Sequence, residues 1–263
     1  MSKSSIRSLS VLAIAAGVLC FAATTGEAGE KRKSKKPLKV FKFDPTAKKV
    51  EMFKAEEEGL IKIKVVPNGP LGGRLLFENT TKEPLTIELP EAFVGVQVLN
   101  QLGGGGGFGG GQGGGGLGGG GGLFSIPPEK VVSVKYNSVC LEHGKADPRP
   151  SMKYKLIPVE KFTKDARIKE LCKVVRDGRI NAGAAQAAAW NLSNRMSWQQ
   201  LATKQASHFS NQPYFSRQQV QLAQRLVAHT TGMARETAAK EKAAAKKKAS
   251  KPEEKKGTRQ FSR

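Results

Sequence analysis

Cysteine is scarce in this chain, with three in 263 residues. That excludes a disulfide-dense mini-protein, in which cross-links stand in for a small core. Aromatic residues make up only 6% and apolar residues 38%, so core-forming material is thin for the length. No apolar run reaches the roughly 20 residues that a membrane-spanning helix needs. Acidic residues are also few, 22 against 44 Lys+Arg, which leaves a net charge of +22. Catalytic signatures are missing as well: the chain contains no G-x-S-x-G, no S-x-x-K and no H-E-x-x-H. What remains is a modest globular core with basic flanks, and no pattern that calls for a cofactor.

The N-terminus reads as a targeting segment. Lys3 and Arg7 precede an apolar run from Val11 to Ala23, and Gly26 and Ala28 follow as small residues at the −3 and −1 positions. This is the pattern of a secretory signal peptide over residues 1–28, cleaved after Ala28. The expected location is secreted or periplasmic, in the cell envelope. The cleaved chain is not expected to be an integral membrane protein. Cys20 leaves with the peptide, so Cys140 and Cys172 remain. In an oxidising compartment two cysteines are most simply a disulfide, worth about 3–4 kcal/mol by loop closure. The spacing Cys140-Leu-Glu-His143 also suggests a metal site. A structural zinc needs four ligands, however, and beyond the two cysteines only His143, His208 and His229 are on offer.

Composition then divides the chain. Residues 29–49 are rich in lysine and read as a flexible basic arm, with a short strand possible at Val40–Phe43. Residues 50–159 read as short strands: Leu60–Val66, Arg74–Glu78, Leu85–Leu89, Phe93–Leu99, Val131–Tyr136 and Lys153–Ile157. Several alternate apolar with polar residues and are separated by turn clusters, as in a small antiparallel sandwich. Residues 102–123 interrupt them with glycine broken only by Phe108, Gln112 and Leu117. Such a tract buries too little apolar surface to offset its ordering entropy, so a disordered insertion is expected.

Beyond Pro158 the period becomes helical, giving a small helical region over 160–212. Ile168, Leu171, Cys172 and Val175 share one helix face, with Gly178 suited to end that helix. Asn181 can cap a second helix, and Ser197 and Ser216 each open a capping box with a Gln three residues on. Residues 213–263 read as a basic helix running into a disordered tail. Its apolar face is Val220, Ala223, Leu226 and Val227.

Cys140 with His143 is the one nucleophile-and-base pair close in sequence, which raises a cysteine hydrolase or transferase as an alternative function. Glu56–Glu58 reads as a solvated, turn-borne charge run. Trp190 and Trp198 read as the large core residues of the helical region rather than a carbohydrate platform. Asn79-Thr-Thr81 and Asn191-Leu-Ser193 match the glycosylation acceptor pattern. The basic C-terminus is the stronger feature, with Lys246, Lys247, Lys248, Lys251, Lys255 and Lys256 as candidate polyanion contacts. Base-stacking aromatics are lacking there except Phe261, so no specific nucleic-acid readout is expected. The expected partner is an anionic envelope polymer or another envelope protein. A bare polyanion binder working through the tail alone is a further alternative.

Two stretches, FENTTKEPLTIELPEAF (Phe77–Phe93) and VCLEHGKADPRP (Val139–Pro150), resemble segments of uncharacterised exported bacterial proteins with a small Ig-like β-domain. The resemblance covers roughly the middle half of the chain. It implies an Ig-like sandwich and an exported location, and it brings no catalytic residues. The expected fold class is therefore α+β: a small antiparallel Ig-like β-sandwich with a disordered Gly-rich insertion, followed by a helical C-terminal region. The expected function is a non-enzymatic interaction or scaffolding protein whose basic arms act as electrostatic tethers.

Overall fold

A computed structural model describes residues 36–39, 43–98, 111–113, 122–207 and 210–249. The elements run β1 (Lys48–Glu51), α1 (Met52–Glu57), β2 (Ile61–Pro67), β3 (Gly72–Asn79), β4 (Leu85–Glu88), β5 (Phe93–Gln97), β6 (Gly111–Gly113), β7 (Leu123–Ile126), β8 (Val131–Asn137), β9 (Val139–Cys140) and β10 (Tyr154–Pro158). Then follow α2 (Val159–Phe162), α3 (Ala166–Arg176), α4 (Ala182–Asn194), α5 (Trp198–Thr203), the hairpin β11 (Gln205–Ser207) and β12 (Ser210–Pro213), and the long α6 (Arg217–Ala249). The chain is α+β, strands first and mostly helices after.

The strands form three main sheets, ordered β1-β4-β7, β2-β3-β8 and β10-β5-β6-β9. Among the named strands one pairing departs from the antiparallel expectation: β1 lies parallel to β4, with Lys48 opposite Leu85. β1 also begins inside the stretch expected to be a flexible arm. Further back, Leu38 bridges to Val132, its N–H donating to the Val131 carbonyl at 2.8 Å. Part of the glycine tract expected to be disordered is ordered too, because Gly111–Gly113 pairs between β5 and β9. The signal-peptide stretch, most of Val40–Phe43, residues 102–110 and 114–121 of the tract, and Lys251, Lys255 and Lys256 lie outside the described residues.

Period-two alternation explains how one sheet serves two cores. Phe93 on β5 and Leu156 on β10 face a first core with Ile61, Leu75, Phe77, Leu85, Ile87, Phe124, Ile126 and Val132. Those residues come from both three-stranded sheets, and the rings of Phe77 and Phe124 meet edge to face at 5.0 Å. Val94, on the opposite side of β5, faces a second core with Val139, Leu141 and the helices. The four-stranded sheet therefore separates a mainly β core, to which α1 adds Met52 and Ala55, from a β/helix core.

The helices form where capping and periodicity direct them. Glu51 caps α1, its carboxylate accepting from the N–H groups of Phe53 and Lys54. Glu56 and Glu57 thus belong to a helix, where a turn was expected. Asp165 caps α3 and Asn181 caps α4. At Ser197 and Ser216 the serine hydroxyl accepts from the N–H of Gln200 and Gln219, whose side chains accept in return. Gly178 ends α3 at φ +67°, a left-handed conformation that side chains resist, and a Cβ there would lie 2.6 Å from Asn137 Nδ2. α4 is the central helix, and its Ala184, Ala185, Ala187, Ala188 and Ala189 are all buried. Small side chains let neighbouring elements approach its axis from several directions, as a helix apolar all round requires.

Candidate functional site

Strand β9 ends at Cys140, on the outer edge of the four-stranded sheet. Gln186 of α4 pairs with the peptide groups of Cys140 there. Its Oε1 accepts from the Cys140 N–H at 2.9 Å and its Nε2 donates to the Cys140 carbonyl at 2.8 Å. After the buried Leu141 the chain turns outward. The Cys140 thiol donates to the Glu142 carbonyl at 3.3 Å, Glu142 pairs with Lys145 at 3.0 Å, and the His143 N–H donates to Asn194 Oδ1 at 3.1 Å.

Trp190 is the hub of this corner. The His143 ring meets it edge-on at 4.7 Å, with Tyr214 at 5.3 Å and Phe215 at 5.6 Å. Lys204 Nζ lies 5.5 Å from the Trp190 ring and 5.3 Å from that of Tyr214, a cation–π arrangement. The Trp190 indole nitrogen is buried with no hydrogen-bond partner, and so is Glu142 Oε2. The nearby Trp190 side chain favours the charged form of the Cys140 thiol, the smallest of the influences on it.

Electrostatics keep the thiol protonated. Burial pushes the Cys140 thiol up, and the negative charges of Asp147 and Glu142 add to this against the opposing hydrogen bonds. Burial, then the nearby Lys204 charge, pushes His143 down. A nucleophilic cysteine needs the reverse, a stabilised thiolate beside a cationic partner. The sulfur and the imidazole that the C-x-x-H spacing brought together have different partners here, the Glu142 carbonyl and the Trp190 ring.

The disulfide expected between Cys140 and Cys172 is not formed, and both are free, buried thiols. Cys172 points from α3 into the helical core and is fully buried, which alone pushes its thiol up to about 12. Cys140 instead faces the polar corner around Trp190, so the two sulfurs occupy different surroundings. Among the described residues no three His, Cys, Asp or Glu side chains gather to hold a metal. His229 is exposed on α6, and His208 lies outside the described residues. Trp190 is buried and Trp198 packs against the same helical core. Asn79 of the first acceptor pattern has no exposed surface. Asn191 of the second is half-buried and donates to the Met196 carbonyl.

The basic C-terminus has a plain geometry. Val220, Ala223, Leu226 and Ala234 anchor α6 in the core, Val227 packs beside them, and Thr237 Oγ1 meets Glu170 at 3.4 Å. From Ala238 to Lys246 every residue is exposed, and those other than Lys and Glu are alanine. Lys246 is among them, and Lys247 and Lys248 continue the helix. No helix among the described residues is long and apolar enough to cross a membrane.

Comparison of the chain with known protein families, curated proteins and solved structures finds no match. Function is therefore argued from these two regions themselves. Sequence reasoning missed Gln186, Lys204 and Tyr214. No local pattern marks any of them, because each acts on residues brought near only by folding.

Proposed function

We propose that this chain is an exported, non-enzymatic interaction protein of the cell envelope, tethered by its basic segments to an anionic envelope polymer or an envelope protein. The observation that carries the reading is the C-terminal part of α6, which leaves the core after Thr237 and continues as exposed Lys and Ala. Successive residues sit about 100° apart around a helix axis. Lys240, Lys242, Lys246, Lys247 and Lys248 therefore occupy register positions on all sides. That distribution suits a flexible polyanion that wraps the helix. A helix lying on a bilayer needs an apolar stripe, and alanine supplies little of one. The two three-stranded sheets, as an Ig-like sandwich, serve as the rigid body that carries the tether. The protonated state of Cys140 favours this reading over a cysteine hydrolase.

Attraction between exposed charges is screened beyond about 8 Å at physiological ionic strength. Binding to isolated envelope material should fall steeply with added salt, and should drop when Arg235–Arg263 is removed. The truncated protein should stay folded, because Ala234 is the last buried side chain of α6 among the described residues. Equal binding by the truncated form, with no salt dependence, refutes the tether.

A further inference from the structure

The outer face of the β2-β3-β8 sheet concentrates positive charge on the folded body. Alternation sends Ile61, Val65, Leu75, Phe77, Val132 and Val134 inward, where all are buried. The same alternation sends Lys64, Arg74 and Lys135 outward, where all are exposed. The register sets Arg74 directly opposite Lys135. Lys64 lies opposite Leu76, and therefore diagonal to Arg74. No carboxylate pairs with any of the three among the described residues. Like charges directly opposite on neighbouring strands destabilise a sheet. The pair therefore stands at a cost that a bound anion would remove.

Beside this pair is a cleft of about 450 Å³, lined by Asn68, Gly72, Gly73, Arg74, Lys135 and Asn137 among others. Glycine lets the strands close up beside it. A Cβ on Gly73 would lie 2.4 Å from the Val66 carbonyl oxygen, and one on Gly72 2.4 Å from that of Tyr136. The start of β3 thus runs past both neighbours without side chains of its own. The basic arm adds to the field. Leu38 is held along β8 by Val131 and Ser133, with the exposed Lys36 and Lys39 on either side.

We propose that Arg74, Lys135 and this cleft form a binding site for a phosphate group carried by an anionic ligand. A guanidinium fork grips an oxyanion through two parallel hydrogen bonds, and the lysine adds a point charge from the facing strand. The site extends the polyanion reading from the tail to the body and does not depend on it.

Pyrophosphate titrated into the full-length chain tests the proposal, followed by thermal melting and calorimetry. Wild-type protein should melt at rising temperature as pyrophosphate is added. R74Q/K135Q should bind about tenfold or more weakly and lose that shift. K246Q/K247Q/K248Q should keep it. In a low-salt buffer free of multivalent anions, K135Q should melt above wild type, since it relieves the like-charge pair. An unchanged pyrophosphate shift in R74Q/K135Q overturns the site, as does a shift lost only in the tail variant. A shift with poly-glutamate but none with pyrophosphate overturns the phosphate assignment.

Discussion

Replacing Gln186 with Leu keeps nearly the same volume and removes both hydrogen bonds to the Cys140 peptide. Gln186 is 3% exposed, so water does not readily replace it. The Cys140 N–H and carbonyl would each be left buried without this partner, at about 1–3 kcal/mol apiece. The expected loss is therefore about 2–6 kcal/mol, a large fraction of the roughly 5–15 kcal/mol that holds a domain folded. For a chain of this size each kcal/mol lowers Tm by about 2–4 °C, so a drop of about 5–20 °C should follow. Gln186→Glu should be worse at neutral pH, because a carboxylate cannot donate to the Cys140 carbonyl and brings a buried charge. Equilibrium urea unfolding by circular dichroism measures the effect, with the exposed Gln218→Leu as a control expected within about 0.5 kcal/mol of wild type. A Gln186→Leu variant equal to that control would show that α4 does not hold the end of β9.

In protein lacking residues 1–28, Cys140 and Cys172 should resist iodoacetamide in the native state at pH 7.5 and react as two thiols in denaturant without reductant. Rapid native labelling of Cys140 would contradict its protonated, buried state. Because the folded state raises both thiols above the ordinary value of 9.0, their contribution is present below about pH 9 and is lost as pH rises further, towards about 12 for Cys172. A Cys172→Ala variant should lose part of this alkaline sensitivity in pH-dependent melts. Asn79 donates to the carbonyls of Glu83, Ile126 and Pro127 and accepts from Thr81, so Asn79→Ala should cost about 2–4 kcal/mol in urea unfolding. Asn79→Asp should cost more at neutral pH, since it turns a carboxylate onto three carbonyl oxygens. Arg195 ends α4 at φ +56°, so Arg195→Gly should raise stability by about 0.5–1 kcal/mol; a loss would show that its side chain matters more than its backbone.

Local chemistry alone determined a good deal of this protein. The change from period two to period 3.6 near Pro158 marks where strands give way to helices, and the caps at Asn181, Ser197 and Ser216 stand where their residue types require. The face of α3 carrying Ile168, Leu171, Cys172 and Val175 was legible because a helix places those spacings on one side whatever surrounds it. Long-range partners were not legible. The parallel pairing of β1 with β4 joins residues whose own patterns are weak, and α1 sits where three glutamates resemble a turn. The sequence marks Cys140 and Cys172 as alike, but only packing gives one sulfur an apolar core and the other a polar corner. Lys64, Arg74 and Lys135 are unremarkable surface residues until register sets them side by side. Alternation fixes which way a side chain faces, and only the tertiary structure decides which side chain faces it.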